Sequence, residues 1–362
     1  MSKGDIQRLV QPQLKDLRPY EPHLYDNVIH LEANENPYPF PQEVMEKIFR
    51  EMAQLGFNRY PDPALKDLRE AIGQYAGVSK DQVLAGNGSD ELIQGLLLTF
   101  AGPKAKVIIP SPTFSMYKIW ATVVGASPVE VPLKADYNLD LPVLLKELED
   151  PAATVVFLCS PNNPTGNLIP LEEVEEICQR SQGIVVLDEA YYEFARESGI
   201  SILDKYPNLV ILRTFSNAYA LAGLRVGYIL ASEAIIKELF KVKLPFNLNS
   251  FSQVAARQVM ENQPVFEAQI EEILANRDEL WMELQTIENI KVFPSSANYF
   301  LIQVPEAPRV HKELIEEGIL VRYLGGGPGL ENCLRITVGT KEENSFLIEK
   351  LKAICNSLVV KR

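Results

Sequence analysis

The sequence predicts an α/β protein whose larger part is a mostly parallel β-sheet covered by helices, followed by a smaller α+β part. Apolar, β-branched runs recur along the first 250 residues, and amphipathic helical patterns separate them, as expected of βα units. The near-continuous apolar character of these runs indicates strands that are covered on both faces. The predicted strands are residues 82–86, 106–111, 154–161, 184–191, 209–216 and 226–232.

The pattern changes after about residue 250, where long helical segments come first and short apolar runs follow. We therefore expect an N-terminal arm over 1–40, a large domain over 41–250 and a small domain over 251–362. The long helix predicted over 263–288 links the two domains. The arm is expected to pack on the small domain, whose predicted strands are residues 299–304, 319–324 and 333–339.

Composition excludes several classes of protein. The net charge of −13 argues against a nucleic-acid-binding surface, because phosphate binding requires concentrated Lys and Arg. No stretch approaches the ~20 apolar residues that span a bilayer, and the polar N-terminus lacks the features of a signal peptide. We therefore expect a cytoplasmic protein that contacts no membrane.

Metal binding is not expected either. The four cysteines lie far apart without a CxxC pair, and none of the three histidines is paired at i and i+4. Cysteines in this pattern are typical of buried thiols rather than disulfides or zinc ligands.

Four polar clusters fall at the ends of predicted strands, where open α/β sheets place their ligands. GNGSDE at 86–91 joins a strand to a helix, and free backbone N–H groups at a helix start bind anions. SPNNPTG at 160–166 is a rigid turn. DEAYYEF at 188–194 ends an apolar strand with a carboxylate that needs a partner. TFSNAYALAGLR at 214–225 combines hydroxyls with an arginine, which suits a phosphate.

Each cluster alone also has a structural interpretation: a capped turn, an ordinary loop, or a buried salt bridge. Their order and spacing together resemble the pyridoxal-phosphate-dependent aminotransferases of fold type I. The resemblance depends on NNPTG, then DEAY, then a serine two strands later, then AGLR. It extends over essentially the whole chain, and it implies pyridoxal 5′-phosphate as the cofactor.

The resemblance also implies roles for individual residues. Gly88, Ser89, Asp90, Thr214, Ser216 and Arg225 match positions that bind the cofactor phosphate. Asp188 matches the acid that keeps the pyridine nitrogen protonated, which makes the ring an electron sink. Asn163 and Tyr191 match residues that bond the ring hydroxyl, and Phe114 matches the residue that stacks on the ring. Arg335, in CLRITVGT, matches the arginine that binds the substrate α-carboxylate.

Four further segments resemble the histidinol-phosphate aminotransferases: LRPYEP, LEANENPYP, RYPDP and VRYLGGG. In that family the tyrosine of RYP, here Tyr60, reaches the cofactor phosphate of the neighbouring subunit. The resemblance therefore implies a homodimer with shared active sites, which the arm also contacts. Tyr20, Asn36 and Arg322 match positions near the substrate, and Arg322 is the natural partner of its phosphate. The implied reaction of histidine biosynthesis interconverts L-histidinol phosphate plus 2-oxoglutarate with imidazole-acetol phosphate plus L-glutamate.

Asn217 stands where the family has the lysine that forms a Schiff base with the cofactor and shuttles a proton. A carboxamide can do neither, so we expect a severely impaired enzyme. The substitution has three possible origins: engineering to trap a complex, a sequence error or chance mutation, or a natural protein that binds the cofactor without turnover. An aromatic aminotransferase and an amino-acid-phosphate decarboxylase of the same frame also remain open. A nicotinamide-dependent dehydrogenase is disfavoured, because GGGPG at 325–329 follows a late strand and precedes no helix.

Overall fold

The computed structural model describes residues 3–19, 25–325 and 327–359. Over these residues the chain forms two sheets, one of seven strands and one of five. The strands are β1 (Ile29–Leu31), β2 (Val83–Gly86), β3 (Lys106–Ser111), β4 (Ser127–Pro132), β5 (Ala153–Cys159), β6 (Ile184–Asp188), β7 (Leu209–Thr214), β8 (Gly227–Ala231), β9 (Lys291–Val292), β10 (Tyr299–Gln303), β11 (Ile319–Tyr323) and β12 (Cys333–Thr337).

Helices surround the two sheets and account for about half of the remaining described residues. They are α1 (Lys3–Leu9), α2 (Gln42–Met52), α3 (Lys66–Ala76), α4 (Gly88–Phe100), α5 (Met116–Val123), α6 (Leu141–Leu148), α7 (Leu171–Arg180), α8 (Tyr192–Ala195), α9 (Glu233–Val242), α10 (Ser250–Glu261), α11 (Gln263–Leu284), α12 (Ala307–Glu316) and α13 (Lys341–Val359). In the part of the chain that the structure describes, no helix is both long and apolar enough to cross a membrane.

The large sheet has the strand order β2-β8-β7-β6-β5-β3-β4. All neighbouring pairs are parallel except those of β8, which is antiparallel to both β2 and β7. The sheet is therefore mixed but mostly parallel, as the sequence predicts. Two buried clusters of apolar side chains lie on its two faces, which explains why its central strands are apolar throughout.

Strand directions bring the predicted polar clusters to one edge of this sheet. Strands β3, β5, β6 and β7 are parallel, so they all end at the same edge. Strand β2 also ends there, because it is antiparallel to β8, which is itself antiparallel to β7. The four clusters follow β2, β5, β6 and β7, so sequence segments more than 100 residues apart meet at this edge.

The small sheet has the order β1-β11-β12-β10-β9. Strand β1 comes from the arm and pairs in parallel with β11, with Ile29 opposite Ile319. Helix α11, which the sequence predicts as a linking helix over 263–288, ends at Leu284 and is therefore shorter than predicted. A side-chain hydrogen bond ties the small sheet to the turn that follows β5 of the large sheet, since the Tyr299 hydroxyl donates to the carbonyl of Asn162 at 2.7 Å.

Candidate active site

The carboxylate predicted to hold the cofactor ring is Asp188, the last residue of β6, whose side chain is only 3% exposed. Its Oδ2 accepts a hydrogen bond from the Tyr117 hydroxyl at 2.5 Å, and its Oδ1 accepts one from the Ala190 N–H at 3.1 Å. Burial raises the pKa of this carboxyl to about 6, against the lowering effect of both donors. Asp188 is thus an acid without a cationic partner among the described residues.

The neighbouring acid, Glu189, has a different role. It forms a buried ion pair with Arg213, whose Nη2 lies 2.8 Å from Oε2, and it also accepts the N–H of Gly199 at 2.7 Å. The guanidinium of Arg213 lies over the ring of Tyr192, 3.7 Å from its centroid. The structural salt bridge that the sequence allowed at this cluster therefore belongs to Glu189, which leaves Asp188 for a ligand.

Tyr191 lies beside Asp188 with its hydroxyl oriented by two amides. The Nδ2 atoms of Asn34 and Asn163 donate to its oxygen at 2.9 and 3.1 Å. These amide orientations are fixed, because the Oδ1 atom of Asn163 accepts from Arg335 and that of Asn34 accepts from Thr337. With both lone pairs of the tyrosine oxygen engaged, its own hydrogen is directed to an acceptor such as a ligand oxygen.

Asn34 was not predicted from the sequence, although it lies in the segment LEANENPYP. It is 1% exposed, and its backbone is left-handed with a φ of +57°. Its carbonyl accepts from Asn217 Nδ2 at 2.6 Å and from Asn298 Nδ2 at 3.0 Å. Asn34 therefore joins the arm, the large sheet and the small domain at a single point.

Asn217 is 9% exposed and lies in the turn after β7. Its amide is held by the Asn34 carbonyl, while Asn36 Nδ2 donates to the carbonyl of the next residue, Ala218, at 2.9 Å. The predicted position of the reactive amine and the predicted substrate residue Asn36 are thus adjacent.

The residues predicted to bind phosphate also meet. Arg225 Nη2 lies 3.2 Å from Asp90 Oδ2, and Arg225 Nη1 donates to the Ser216 hydroxyl at 3.4 Å. The Thr214 hydroxyl donates to the Ser216 oxygen at 3.0 Å. The side chain of Arg225 is 46% exposed, so the guanidinium remains open to a further anion.

Gly88 allows this approach at the start of α4. Its φ is +77°, and a Cβ there would lie 2.6 Å from Arg225 Nη2. Gly227 is the second such position, since a Cβ there would lie 2.7 Å from the backbone nitrogen of Ser89. The absence of both side chains brings the helix start, with its free N–H groups, against the guanidinium.

We call Asp188, Tyr191 and Asn163 the ring end of the site, and residues 88–90 with Ser216 and Arg225 its phosphate end. Several features fit a flat aromatic base with an anionic tail, as in pyridoxal phosphate. The ring end offers a buried acid and an oriented hydroxyl, and the phosphate end offers an arginine beside a helix start. Asp90 Oδ1 is a buried oxygen without a hydrogen-bond partner among the described residues, which fits a place that a ligand or water completes.

Phe114 and Arg335 lie beside the ring end through their contacts with Tyr117 and Asn163. Phe114 is half-buried and meets the Tyr117 ring edge-on, with centroids 5.5 Å apart. Arg335 Nη1 donates to Asn163 Oδ1 at 2.7 Å, and Arg335 Nη2 donates to the carbonyl of Glu32. A flat ring over Phe114 and a carboxylate at Arg335 would both be next to the ring end.

Arg322 lies directly opposite Arg335 on the antiparallel strands β11 and β12. Residues in this relation project from the same face of a sheet. The structure therefore places the two predicted substrate-binding cations on one face of the small sheet.

Two predicted site residues are not brought into this group. Tyr60 is on the surface, 81% exposed, and stacks on Phe246 with centroids 4.4 Å apart. Tyr20 lies outside the described residues.

Comparisons with known proteins agree with this geometry. The family model for aminotransferase class I and II matches residues 26–351. The chain is 46% identical to histidinol-phosphate aminotransferase 1 of Carboxydothermus hydrogenoformans over 348 residues, which cover 96% of this chain and 99% of the relative. It is 41% identical to the histidinol-phosphate aminotransferase of Thermoanaerobacter pseudethanolicus over 349 residues, with the same coverage of both chains.

Among solved structures, the fold is similar to that of the Sinorhizobium meliloti histidinol-phosphate aminotransferase in complex with pyridoxal-5′-phosphate. The TM-score is 0.88 at 26% identity, with 96% of this chain and 98% of that chain covered. The resemblance predicted from the sequence is thereby confirmed at the level of family and fold. The chain belongs to the class I and II aminotransferases.

Proposed function

We propose that this chain has the scaffold of a histidinol-phosphate aminotransferase. Such an enzyme moves an amino group between L-histidinol phosphate and 2-oxoglutarate, and the other products are imidazole-acetol phosphate and L-glutamate. The relatives that are 46% and 41% identical over nearly the whole chain carry this name. The observation that carries the proposal is the site itself: a buried acid and an oriented hydroxyl at the ring end, with two arginines on the facing sheet.

Pyridoxal 5′-phosphate, when bound, supplies a ring that accepts the electron pair released when a bond to the substrate α-carbon breaks. Asp188 would hold a proton on the ring nitrogen, while Tyr191 and Asn163 would bind the ring hydroxyl. Phe114 would cover one face of the ring. The phosphate would be held by Gly88, Ser89, Asp90, Thr214, Ser216 and Arg225.

The two arginines of the small sheet bind the two substrates. Arg335 takes the α-carboxylate of glutamate or 2-oxoglutarate through paired hydrogen bonds, since a guanidinium matches a carboxylate in geometry. Arg322 takes the phosphate of L-histidinol phosphate. The family resemblance assigns Asn36 and Tyr20 to the same substrate site, and Tyr20 lies outside the described residues.

Asn217 limits what this chain does. Its amide nitrogen is not a nucleophile and is far too weakly basic to take a proton from carbon. In the fold this nitrogen already donates to the Asn34 carbonyl at 2.6 Å. We infer that the chain binds the cofactor without a covalent bond and turns over poorly.

The variant Asn217→Lys tests this directly. It should gain an absorbance band of a lysine-bound cofactor and raise transamination by roughly 10³-fold, within the range known for a positioned acid–base group. Asn217→Met is the matched control, because it has similar length without an amine. Borohydride reduction followed by mass spectrometry should find a pyridoxyl group on residue 217 in the lysine variant alone. A folded, cofactor-loaded lysine variant that accepts no amino donor would overturn the proposal.

The substrate class is tested by titrating L-histidinol phosphate and L-phenylalanine separately into the cofactor-loaded chain while recording spectra. We expect a strong preference for the phosphorylated amine, and Arg322→Gln should remove that preference. Equal binding of both amines would favour an aromatic aminotransferase. Release of CO₂ from an amino-acid phosphate by the Asn217→Lys variant would favour a decarboxylase.

A non-catalytic cofactor-binding protein is the second candidate, favoured by Asn217 alone. It is distinguished by the same lysine variant, which would then bind the cofactor covalently and remain inactive.

We also propose that two copies of the chain associate and share active sites. Apolar side chains are exposed around Tyr60, which is itself 81% exposed: Phe57 at 84% is three residues before it, and Leu244 at 66% lies close in the chain to Phe246, on which Tyr60 stacks. A second copy covering these side chains would bring Tyr60 to the phosphate of its neighbour. Sedimentation should show a dimer. The variant Tyr60→Phe should bind the cofactor more weakly and should remain dimeric. A monomer that binds the cofactor at full strength would exclude this arrangement.

We place the protein in the cytoplasm. The support is that Cys159, Cys178, Cys333 and Cys355 are all free thiols, which is typical of a reducing compartment. Fractionation of cells that express the tagged chain tests this location.

A further inference from the structure

Besides the N–H of Ala190, a buried tyrosine that the sequence did not point to donates a hydrogen bond to Asp188. The Tyr117 hydroxyl donates to Asp188 Oδ2 at 2.5 Å, within the range of a charge-assisted O–H···O⁻ bond. The Tyr117 side chain is fully buried, and that of Asp188 is 3% exposed. Water therefore has little access to this pair, and the tyrosine replaces it as a donor to the carboxylate.

Two aromatic contacts fix the position of the Tyr117 hydroxyl. The Tyr117 ring stacks on Phe157 of β5, with centroids 4.4 Å apart and an interplanar angle of 8°. Phe114, the residue predicted to cover the cofactor ring, meets Tyr117 edge-on at 5.5 Å and 81°. One short segment at the start of α5 thus carries both the proposed ring cover and the donor to the acid.

We propose that Tyr117 is a positioning residue, whose hydroxyl keeps the Asp188 carboxylate ionised and aimed at the cofactor ring nitrogen. A donor that bonds the carboxylate stabilises its charged form over its neutral form. The proton shared between the acid and the ring nitrogen then remains on the nitrogen. This inference rests on the proposed function, because it requires the cofactor ring to sit at Asp188.

The surroundings of Asp188 show why such a donor is required. The pKa of Asp188 is raised to about 6, mainly by burial and also by the charges of Asp90 and Glu189. The Tyr117 hydroxyl and the Ala190 N–H act in the opposite direction. Titratable groups that interact with Asp188 come from α4, α5, the end of β5, the chain after β6 and the start of β10: Asp90, Tyr117, Cys159, Glu189, Tyr191 and Tyr299.

None of these groups is a cation, and the two carboxylic acids, Asp90 and Glu189, raise the pKa of Asp188. Before a ligand binds, Tyr117 is consequently the side chain that counteracts burial among the described residues. Its removal should let the shared proton move towards the carboxylate.

The test is ¹⁵N NMR of pyridoxal 5′-phosphate labelled at the ring nitrogen and bound to the chain as it stands. The chemical shift reports the ratio of protonated to unprotonated nitrogen. We expect Tyr117→Phe to lower this ratio about tenfold, which is the effect of one hydrogen bond to a charged group. Phenylalanine retains the stacking on Phe157, and a thermal melt checks that the variant is folded.

Two further variants separate the possible outcomes. Tyr219→Phe removes a hydroxyl from an equally buried tyrosine, one that donates to Tyr75 and Gln263 instead, and should leave the ratio unchanged. Asp188→Asn should abolish ring protonation. If the cofactor does not bind, or if Asp188→Asn leaves the nitrogen unchanged, the proposed function fails. If Asp188→Asn acts as expected and Tyr117→Phe has no effect, only the role of Tyr117 is refuted.

A graded change keeps the inference testable if Tyr117→Phe does not fold. A 3-fluorotyrosine at position 117 has a more acidic hydroxyl and donates more strongly, at nearly unchanged size. It should raise the fraction of protonated ring nitrogen above that of the parent chain. An equal or lower fraction would contradict the proposed role.

Discussion

The two ends of the candidate site are built differently. At the ring end, Asp188 is 3% exposed, and the hydrogen bonds around it and Tyr191 measure 2.5 to 3.1 Å. At the phosphate end, Arg225 is 46% exposed, and its hydrogen bonds measure 3.2 to 3.5 Å. The ring end is thus assembled before any ligand binds, whereas the phosphate end is an open group of donors that the proposed cofactor phosphate would complete.

This difference has an energetic consequence. A buried acid lowers the stability of the fold that holds it, because its charge has lost water without gaining a cation. An exposed arginine adds little to stability, because water screens its ion pair with Asp90. Function and stability therefore conflict at the ring end and are nearly independent at the phosphate end.

The largest effect on stability is expected from Asp188→Asn. The folded pKa of about 6 exceeds the ordinary value of 3.8, so the folded chain binds the extra proton and its stability falls as pH rises from 4 to 6. At about 1.4 kcal/mol per pKa unit, the loss is about 3 kcal/mol. The asparagine variant lacks this loss, so it should unfold at higher urea concentration than the parent at pH 8 and match it near pH 4.

Urea unfolding of the cofactor-free chain at both pH values measures this difference. The same variant should bind pyridoxal phosphate more weakly, since it cannot hold the ring proton. A variant less stable than the parent at pH 8 would show that Asp188 stabilises the fold rather than serving a ligand.

Arg225→Gln should affect cofactor affinity strongly and stability little, unlike Asp188→Asn. It removes a charged donor from the phosphate end, so the affinity for pyridoxal phosphate should fall about 10- to 100-fold. The free energy of unfolding should change by less than about 1 kcal/mol. Fluorescence titration and urea unfolding measure the two effects.

Arg180→Gln is a suitable control for this change. Arg180 is a similarly exposed arginine, paired with Glu149 at 3.5 Å, and its loss should alter neither quantity. Equal loss of affinity in both variants would mean that overall charge, rather than the phosphate end, governs binding.

Gly88→Ala should moderately lower both the stability of the fold and its affinity for the cofactor. The left-handed backbone disfavours alanine by about 1–2 kcal/mol, and the new Cβ would contact Arg225 Nη2 at 2.6 Å. Stability should fall by that amount, and cofactor affinity should fall with it. Gly102→Ala is the control, because Gly102 has no atom within 4 Å of the added Cβ. Full affinity in Gly88→Ala would show that the arginine adapts and that the phosphate end is not fixed by this glycine.

The smallest effect is expected in the turn that joins Asn217 to Arg225. Ala220 has φ of +52°, which glycine adopts without strain. Ala220→Gly should therefore raise the free energy of unfolding by up to about 1 kcal/mol, as measured by thermal unfolding. No gain in stability would mean that the added chain entropy of glycine offsets the relieved strain.

Most of the large sheet follows from local sequence. The six predicted strands match β2, β3, β5, β6, β7 and β8 to within two residues at their starts, because continuous apolar runs have few alternatives. Strand β4 (Ser127–Pro132) was not predicted. It contains two prolines and lies at the edge of the sheet, where proline is tolerated and the apolar pattern is weak.

The residues of the candidate site likewise divide into those that the sequence predicts and those that it does not. Asp188, Asn163 and Arg225 stand in segments whose residue types and order resemble a known family, so they could be named in advance. Asn34 stands in the quoted segment LEANENPYP, and Tyr117 follows the predicted residue Phe114 by three positions, yet neither was singled out. Their partners lie far along the chain: Asn34 bonds Tyr191, and Tyr117 bonds Asp188.

The sequence by itself determined the strands and helices, the family and the residue types able to bind a cofactor, because these depend on neighbouring residues and on recurring motifs. Only the tertiary structure decided that Asp188, rather than Glu189, is left without a cation among the described residues, and that one tyrosine and one arm asparagine orient the ring end. Such assignments depend on distance and burial. Those quantities arise only when strand pairing brings segments more than 70 residues apart within 3 Å of one another.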